Sequence, residues 1–324
     1  MSGLSLKELN NEIPVRLASG HRLCAGCAES IIARQVLMGT EKDVAVSCST
    51  GCFEVSTTIF PYTSWKVPMV HTAFGNGAAG AAGLETAYKS LKRQGKTDKD
   101  IKFVNFAGDG ATYDIGLQAL SGAMERGHDM LFVCFNNEAY MNTGIQRSSA
   151  TEKGASTTTS WNGSESYGKK EFPKDMTAVM VAHNIPYVAQ AAPHAWRDLV
   201  QKAQKAFSCG GPSFINAISP CPRGWRFASS DTISISKLAV ETCVWPLFEV
   251  VNGEYHLSPE SQRIADGKVE KKPVTDWFAS QGRFKHLMDE RWSDVVEDIQ
   301  IELDRRWNKL IKLSEMSSDS TDSE

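Results

Sequence analysis

Apolar residues along this chain recur in short runs that alternate with stretches of helical spacing. Residues 103–107 and 130–135 are apolar runs of strand length, and residues 117–127 between them carry apolar side chains at helical intervals before Gly127. Strands buried on both faces of a parallel sheet show such unbroken apolar runs. Residues 101–144 are therefore predicted to form one strand–helix–strand unit.

The same alternation extends to both sides of this unit. The further predicted elements are a helix and a short strand within 28–46, a helix opening in the small-residue segment 71–80, and helix, strand, helix and strand at 176–183, 186–189, 194–207 and 214–218. Residues 55–70 predict an irregular loop. The Ser-, Thr- and Gly-rich stretch 145–175 predicts a long loop that covers a site. Together these elements predict an α/β fold with a doubly wound, mostly parallel sheet.

The pattern changes after residue 222. A helix at 233–244 and a strand pair around 248–257 are followed by charged helices that carry isolated aromatic residues. Aromatic residues on such helices favour docking on a partner over a core of their own. We therefore divide the chain into an N-terminal extension, a main domain, a C-terminal helical arm that docks on partner subunits and a disordered acidic tail. Their bounds are 1–16, 17–222, 223–313 and 314–324.

Composition and charge exclude several classes of protein. The chain has 324 residues, 41% of them hydrophobic, and a formal net charge of −3, so no basic field for nucleic acid is present. No apolar run approaches the roughly 18–20 residues that a membrane span needs. The N-terminal segment lacks the apolar core of a signal peptide. We expect a cytoplasmic protein without nucleic-acid or membrane partners.

Oxygen-bearing side chains follow both strands of the central unit. Gly108, Asp109 and Gly110 come directly after the first strand, and Asn136 and Asn137 follow the second. Carboxyl ends of parallel strands share one sheet edge, where open α/β folds bind ligands. One carboxylate, one amide oxygen and a backbone carbonyl suit Mg²⁺, with diphosphate oxygens completing an octahedron. A plain surface turn remains the alternative for the Gly-Asp-Gly motif taken alone.

Eight cysteines in such a chain indicate metal or redox chemistry rather than disulfides. Cys24 and Cys27 form a Cys-x-x-Cys pair in a glycine-containing turn, while Cys52 and Cys221 lie beside turn residues. Cys48 is the nearest rival to Cys52. Cys134 and Cys243 are expected to be packing residues, and Cys209 is ambiguous. Zinc and a cubane cluster fit four such thiolates about equally well, and an unused or redox-active pair is a third possibility.

The motifs together resemble the β subunits of the 2-oxoacid:ferredoxin oxidoreductases, nearest to those that act on pyruvate. The resemblance rests on residues 108–110, on Asn136-Asn137 and on the continuation 138–146, and it extends from about residue 17 to about residue 287. It implies a thiamine-diphosphate-binding fold for the main domain. The implied reaction is the reversible oxidative decarboxylation of a 2-oxoacid with coenzyme A to acyl-CoA, CO₂ and reduced ferredoxin.

The resemblance also implies residue roles. Asp109, Asn137 and the carbonyl of Ala139 would hold Mg²⁺, while Asn142 and Thr143 would bond to phosphate oxygens. The segment Phe74, Gly75 and Asn76 would line the thiamine pocket, together with Gly108 and Gly110. The ligands of one [4Fe–4S] cluster would be Cys24, Cys27, Cys52 and Cys221.

The implied partners are α, γ and ferredoxin-like δ subunits, or fused equivalents, and an external ferredoxin. The glutamate that acts on the aminopyrimidine ring is expected from the α subunit, so this chain alone should be inactive. Glu54 is not expected to replace it, and His71 is expected to be structural. The alternatives are a complex acting on an aromatic or branched oxoacid or on oxalate, a cluster-free thiamine decarboxylase, and a zinc-bound scaffold subunit. No G-x-G-x-x-G motif follows a predicted strand, which disfavours a nucleotide dehydrogenase.

Overall fold

One sheet forms the centre of the molecule in the computed structural model, which describes residues 5, 8 and 11–321. Its strands are β1 (Asp43–Ser49), β2 (Met69–Thr72), β3 (Ile101–Gly108), β4 (Leu131–Asn136), β5 (Tyr187–Ala191), β6 (Ser213–Ile218), β7 (Phe248–Val251) and β8 (Glu254–Leu257). They are ordered β2-β1-β3-β4-β6-β5-β7-β8. The first six are parallel, and β7 and β8 pair antiparallel at one edge. The prediction of a doubly wound, mostly parallel sheet is confirmed.

Helices connect the strands and continue after them. The helices are α1 (Ala28–Leu37), α2 (Cys52–Thr57), α3 (Gly77–Arg93), α4 (Leu117–Glu125), α5 (Met176–Val181), α6 (Trp196–Ser208), α7 (Pro222–Trp225), α8 (Thr232–Glu241), α9 (Pro259–Ala265), α10 (Val274–Ala279) and α11 (Ser293–Thr321). A π turn, Gly110–Asp114, lies between β3 and α4. In the part of the chain that the structure describes, no helix has the length and apolar character of a membrane span.

Alternate side chains of the sheet enter two separate cores. On β3, Val104 and Phe106 belong to the core that also contains α1 and α6, whereas Phe103 and Ala107 belong to the core on the opposite face, with α3, α4 and α5. Successive side chains of a strand point to opposite faces, so a strand covered on both sides needs apolar residues at nearly every position. The predicted unit β3–α4–β4 is confirmed, and Gly127 follows α4 at φ +69°.

Two elements fall where the sequence predicted only a loop. Within 55–70 the structure contains the end of α2 and the start of β2. The helix has six residues and the strand four. The helix completes less than two turns and the strand no more than two repeats, so their periodicity is too short to detect.

The prediction that residues 223–313 form an arm without a core of its own is wrong. Strands β7 and β8 join the main sheet, so the sheet crosses the predicted boundary at 222. Trp277 and Phe284 are 1% and 0% exposed, inside a third core built by this chain itself. The expected disordered tail is also wrong up to Thr321, where α11 ends; residues 322–324 lie outside the described part. Docking of the arm on partner subunits remains a prediction.

The described part of the N-terminal extension is attached to the main domain. Ile13 packs with Met38 and Val200. The buried Arg16 donates hydrogen bonds to the carbonyls of Leu37 and Thr40, at 2.5 and 2.7 Å. These contacts place residues 13–16 against the C-terminal end of α1.

Gly77 is expected to be intolerant of a side chain, because α3 starts directly against the sheet. A Cβ at this position would lie 2.2 Å from Ser49 Oγ and 2.5 Å from Asn105 Oδ1, both on buried residues. Gly77→Ala should lower the free energy of unfolding by about 1–3 kcal/mol, as overpacking does. Urea unfolding followed by circular dichroism measures this.

The matched control is Gly83→Ala in the same helix. Gly83 is exposed and a Cβ there would meet no atom within 4 Å. Alanine should stabilise the protein at this position by about 0.4–1 kcal/mol through the unfolded state. Equal unfolding midpoints for the two variants would contradict the role given to Gly77.

Candidate active site

A cavity of about 280 Å³ lies at the carboxyl ends of β1, β3 and β4. We call it the strand-end cavity. Its walls combine aromatic rings with the polar loop that follows β4, and the residues that line it include Glu29, Ser49, Thr50, Cys52, Phe53, Phe74, Phe106, Gly108, Gly110, Phe135, Asn137, Ala139, Tyr140, Asn142 and Thr143. Its position at this edge agrees with the general location of ligand sites in open α/β sheets.

Asp109 is fully buried between two residues that line the strand-end cavity. Its Oδ2 accepts a hydrogen bond from Ser148 Oγ at 2.5 Å, whereas its Oδ1 has no partner among the described residues. Burial raises the pKa of Asp109 to about 7, although the hydrogen bond from Ser148 opposes this. A buried carboxylate oxygen without a donor is rare in proteins and fits a position reserved for a cation.

Asn137 supplies a second unsatisfied oxygen. Its side chain is 5% exposed, and Oδ1 has no partner among the described residues. Its Nδ2 donates to Glu29 Oε1 at 3.1 Å, and its carbonyl accepts from Trp225 Nε1 at 2.7 Å. The backbone amide of Asn137 also lowers the pKa of Asp109. The two residues are therefore close together at one sheet edge, as the topology predicted.

The glycines beside Asp109 act by their small size. Neither Gly108 nor Gly110 has a positive φ, and Asp109 itself is helical at φ −62° and ψ −39°. A Cβ on Gly110 would lie 2.4 Å from Tyr140 Cε1, while one on Gly108 would meet nothing within 4 Å. Gly110 admits the tyrosine ring, and Gly108 leaves the cavity open.

The other predicted coenzyme residues divide into two groups. Phe74, Ala139, Asn142 and Thr143 line the strand-end cavity. Gly75 and Asn76 follow Phe74 along the chain without being among the lining residues, and Asn76 is exposed at the start of α3.

The loop 145–175 packs behind this site, and the prediction that it covers the site stays a prediction. Besides the contact of Ser148 with Asp109, Thr151 Oγ1 donates to the carbonyl of Glu138 at 2.6 Å. Ser148 and Thr151 are 1% and 0% exposed. Hydroxyl side chains in an otherwise polar loop thus become buried because they satisfy polar groups behind the cavity.

A second cavity, of about 370 Å³, contains the four predicted cluster ligands. We call it the thiol cavity. Cys24, Cys27, Cys52 and Cys221 all line it, together with Arg22 and Arg223. The remaining cysteines do not: the rival Cys48 is 1% exposed within β1, Cys134 and Cys243 are buried packing residues, and Cys209 lines a separate surface cavity. The fold thus separates the four selected thiols from the other four.

The Cys24–Cys27 turn is held in place by the segment before α8. Gly26 has φ +75°, and a Cβ there would lie 2.2 Å from the carbonyl oxygen of Ser229. The carbonyl of Gly26 accepts from Thr232 Oγ1 at 2.5 Å. Only glycine combines this backbone conformation with so close an approach.

The electrostatics of the thiol cavity favour neutral thiols in the absence of a cation. Burial raises the pKa of Cys27 and Cys221, and it raises the pKa of Cys52 to about 12. The thiols also influence one another across the cavity. In the described residues no three His, Cys, Asp or Glu side chains converge on one metal position. The four thiols line one cavity.

His71 lies outside both cavities. Its Nε2 is 2.6 Å from Thr50 Oγ1 and 3.4 Å from Glu54 Oε2, and its side chain is about half exposed. Thr58 Oγ1 donates to the other oxygen of Glu54 at 2.6 Å. The contacts of His71 are thus with neighbouring strand and helix ends.

Sequence reasoning missed two residues at the junction of the cavities. Glu29 lines both of them, and Trp225 bonds to the Asn137 carbonyl. Glu29 lies two positions after Cys27, in the first turn of α1, where an acidic residue is common on electrostatic grounds alone. Its position directly after a cysteine pair was the available signal.

Comparison with known proteins defines the class first. Residues 48–217 match the family model described as the thiamine pyrophosphate enzyme, C-terminal TPP binding domain. A solved 2-oxoglutarate:ferredoxin oxidoreductase from Magnetococcus marinus shares the fold, with a TM-score of 0.54 and 21% identity over 74% of this chain and 81% of that one. The predicted thiamine-diphosphate-binding fold is confirmed.

Relatives over nearly the full length narrow the class. The chain is 50% identical to pyruvate synthase subunit PorB of Methanocaldococcus jannaschii, over 89% of this chain and 94% of the relative. It is 43% identical to PorB of Thermotoga maritima over 98% of both. It is also 40% identical to ketoisovalerate oxidoreductase subunit VorB of Pyrococcus abyssi, over 92% and 93%. The chain belongs to the 2-oxoacid:ferredoxin oxidoreductase β subunits, thiamine-dependent oxidoreductases that work as multi-subunit complexes.

Proposed function

We propose that this chain is the β subunit of a pyruvate synthase complex, which interconverts pyruvate and coenzyme A with acetyl-CoA and CO₂ and uses ferredoxin as electron carrier. The observation that carries this proposal is the pair of adjoining cavities. At the strand-end cavity, Asp109 Oδ1 and Asn137 Oδ1 have no hydrogen-bond partner among the described residues, and the thiol cavity is lined by four cysteines. Five residues line both cavities, namely Glu29, Cys52, Asn137, Met141 and Asn142. The high identity to PorB chains supports pyruvate as the substrate.

The strand-end cavity fits thiamine diphosphate bound through Mg²⁺. Asp109, Asn137 and the Ala139 carbonyl would hold the cation, since they offer hard oxygen donors. Asn142 and Thr143 would bond to the phosphate oxygens. The rings of Phe53, Phe106 and Phe135 pack together on the wall and exclude water. Thiamine diphosphate, when bound, supplies the carbanion chemistry for 2-oxoacid decarboxylation.

The thiol cavity fits a [4Fe–4S] cluster held by Cys24, Cys27, Cys52 and Cys221. All four thiols line one cavity, and membership of the 2-oxoacid:ferredoxin oxidoreductase β subunits favours a cluster over a zinc ion there. Cationic iron also compensates for the burial that disfavours free thiolates here, and such a cluster supplies one-electron chemistry. The partner α subunit would supply the glutamate for the aminopyrimidine, with γ and ferredoxin-like δ subunits completing the complex.

A second candidate is the same type of complex acting on a branched 2-oxoacid. The similarity to a ketoisovalerate oxidoreductase subunit favours it.

The test is substrate-dependent reduction of viologen by the native complex, purified without air through a tag on this chain. With coenzyme A and Mg²⁺, pyruvate should give the highest kcat/KM in a panel that includes ketoisovalerate, 2-oxoglutarate, aromatic oxoacids and oxalate. Faster turnover of another oxoacid would reassign the substrate. Bound thiamine without iron–sulfur absorption would indicate a cluster-free decarboxylase, and zinc without thiamine would indicate a scaffold subunit.

A further inference from the structure

Glu29 is the buried carboxylate at the junction of the two cavities. It is 4% exposed and lies in the first turn of α1, two positions after Cys27. It lines both the strand-end cavity and the thiol cavity. Burying a carboxylate costs folding free energy unless its oxygens accept hydrogen bonds or bind a cation. A buried glutamate at this position therefore points to a specific role.

The polar contact of Glu29 is with the Asn137 amide. Glu29 Oε1 accepts from Asn137 Nδ2 at 3.1 Å. Glu29 Oε2 and Asn137 Oδ1 have no hydrogen-bond partner in the part of the chain that the structure describes. A carboxylate oxygen only accepts, so the amide must turn its NH₂ group toward Glu29. The amide oxygen is then left for a different ligand.

The Asn137 backbone is fixed independently of this contact. Its carbonyl accepts from Trp225 Nε1 at 2.7 Å, and its amide N–H donates to the carbonyl of Phe135 at 3.1 Å. The remaining freedom of Asn137 is rotation of its side chain. The hydrogen bond to Glu29 thus fixes the orientation of the Asn137 amide, with Nδ2 toward Glu29 and Oδ1 away from it.

We propose that Glu29 is a positioning residue, which holds the Asn137 amide with its oxygen available to the Mg²⁺ of thiamine diphosphate. This inference rests on the proposed function, because it concerns the cation bound there. Contacts that orient a metal ligand from behind typically change metal affinity by about 10- to 100-fold when they are removed.

Three substitutions of Glu29 test this role. Glu29→Gln keeps an acceptor at the same reach, Glu29→Met keeps the volume without an acceptor, and Glu29→Asp keeps the carboxylate but shortens it by one methylene. The native complex is purified without air, freed of coenzyme with a chelator, and titrated with Mg²⁺ at fixed thiamine diphosphate in equilibrium dialysis. We expect Met and Asp to weaken Mg²⁺-dependent binding about 10- to 100-fold, and Gln to restore most of it.

A double-mutant cycle with Asn137 separates positioning from packing. In an Asn137→Ala background, Glu29→Met should weaken binding no further, because the group that Glu29 orients is absent. Additive losses would overturn the role, as would equal losses in all three Glu29 variants or an unchanged affinity in Glu29→Met. If Glu29→Met fails to assemble, Glu29→Asp against Glu29→Gln gives the same decision.

The outcome for the unmodified complex distinguishes this inference from the proposed function. If that complex shows no Mg²⁺-dependent binding of thiamine diphosphate, the proposed function fails and the role of Glu29 fails with it. If the unmodified complex binds and the Glu29 variants bind equally well, only the role of Glu29 is overturned.

Discussion

Cys221→Ser is expected to remove the iron–sulfur cluster that we propose for this chain, with loss of about four iron and four sulfide per copy relative to the unmodified complex. Cys221 is the N-cap residue of α7, and its Sγ accepts from the Gly224 amide at 3.4 Å. Serine fits the same space, but its hydroxyl is a poor substitute for a thiolate as an iron ligand. Iron and sulfide analysis, with the visible absorption of the complex, measures the loss. Oxoacid-dependent viologen reduction should be lost in parallel.

The control for this change is Cys134→Ser. Cys134 is fully buried in β4 and lies outside the thiol cavity, so its replacement should leave the iron content intact. Thermal unfolding of both variants shows whether the fold is retained. Equal loss of iron in the two variants, or full retention in Cys221→Ser, would show that the ligand assignment is wrong.

Arg283→Met is expected to lower the free energy of unfolding by about 3–5 kcal/mol, because it leaves a buried carboxylate unpaired. Arg283 Nη1 lies 2.7 Å from Glu138 Oε2, and the two side chains are 3% and 1% exposed. The guanidinium group also lies 4.0 Å from the centre of the Trp225 ring. Urea unfolding followed by tryptophan fluorescence measures the change.

Two further variants make this prediction specific. The double variant Arg283→Met/Glu138→Gln removes the unpaired charge and should recover part of the lost stability. Arg291→Met breaks an exposed pair with Asp289, at 3.2 Å, and should change stability by no more than about 0.5 kcal/mol. An Arg283→Met variant as stable as Arg291→Met would refute the prediction.

The sequence was sufficient for the parts of the site that depend on local pattern and topology. Apolar runs locate β3 and β4, and parallel pairing then brings Asp109 and Asn137 to one sheet edge. The four cysteines that line the thiol cavity were selected by the family resemblance, since local sequence set Cys134 aside as part of an apolar run but left Cys209 ambiguous beside its own turn residues. The prediction for Asp109 and Asn137 uses information within a few positions of each residue. The roles given to these residues stay predictions.

Contacts between distant segments could not be predicted in this way. Glu29 and Asn137 are 108 positions apart, and nothing in the local sequence of either residue specifies the other. The C-terminal helices were misjudged for a related reason. An apolar stripe on a charged helix indicates burial, but it does not say whether the covering surface belongs to the same chain, and Trp277 is covered by this chain.

The placement of the cysteines has a consequence for biosynthesis. Cys24 precedes the first strand, while Cys221 follows β6, which completes the parallel part of the sheet. A nascent chain that still lacks β6 offers three of the four thiols and has no closed pocket around them. The proposed cluster can therefore obtain its fourth ligand only after residue 221 has been synthesised, and chains interrupted before that residue cannot supply all four thiols.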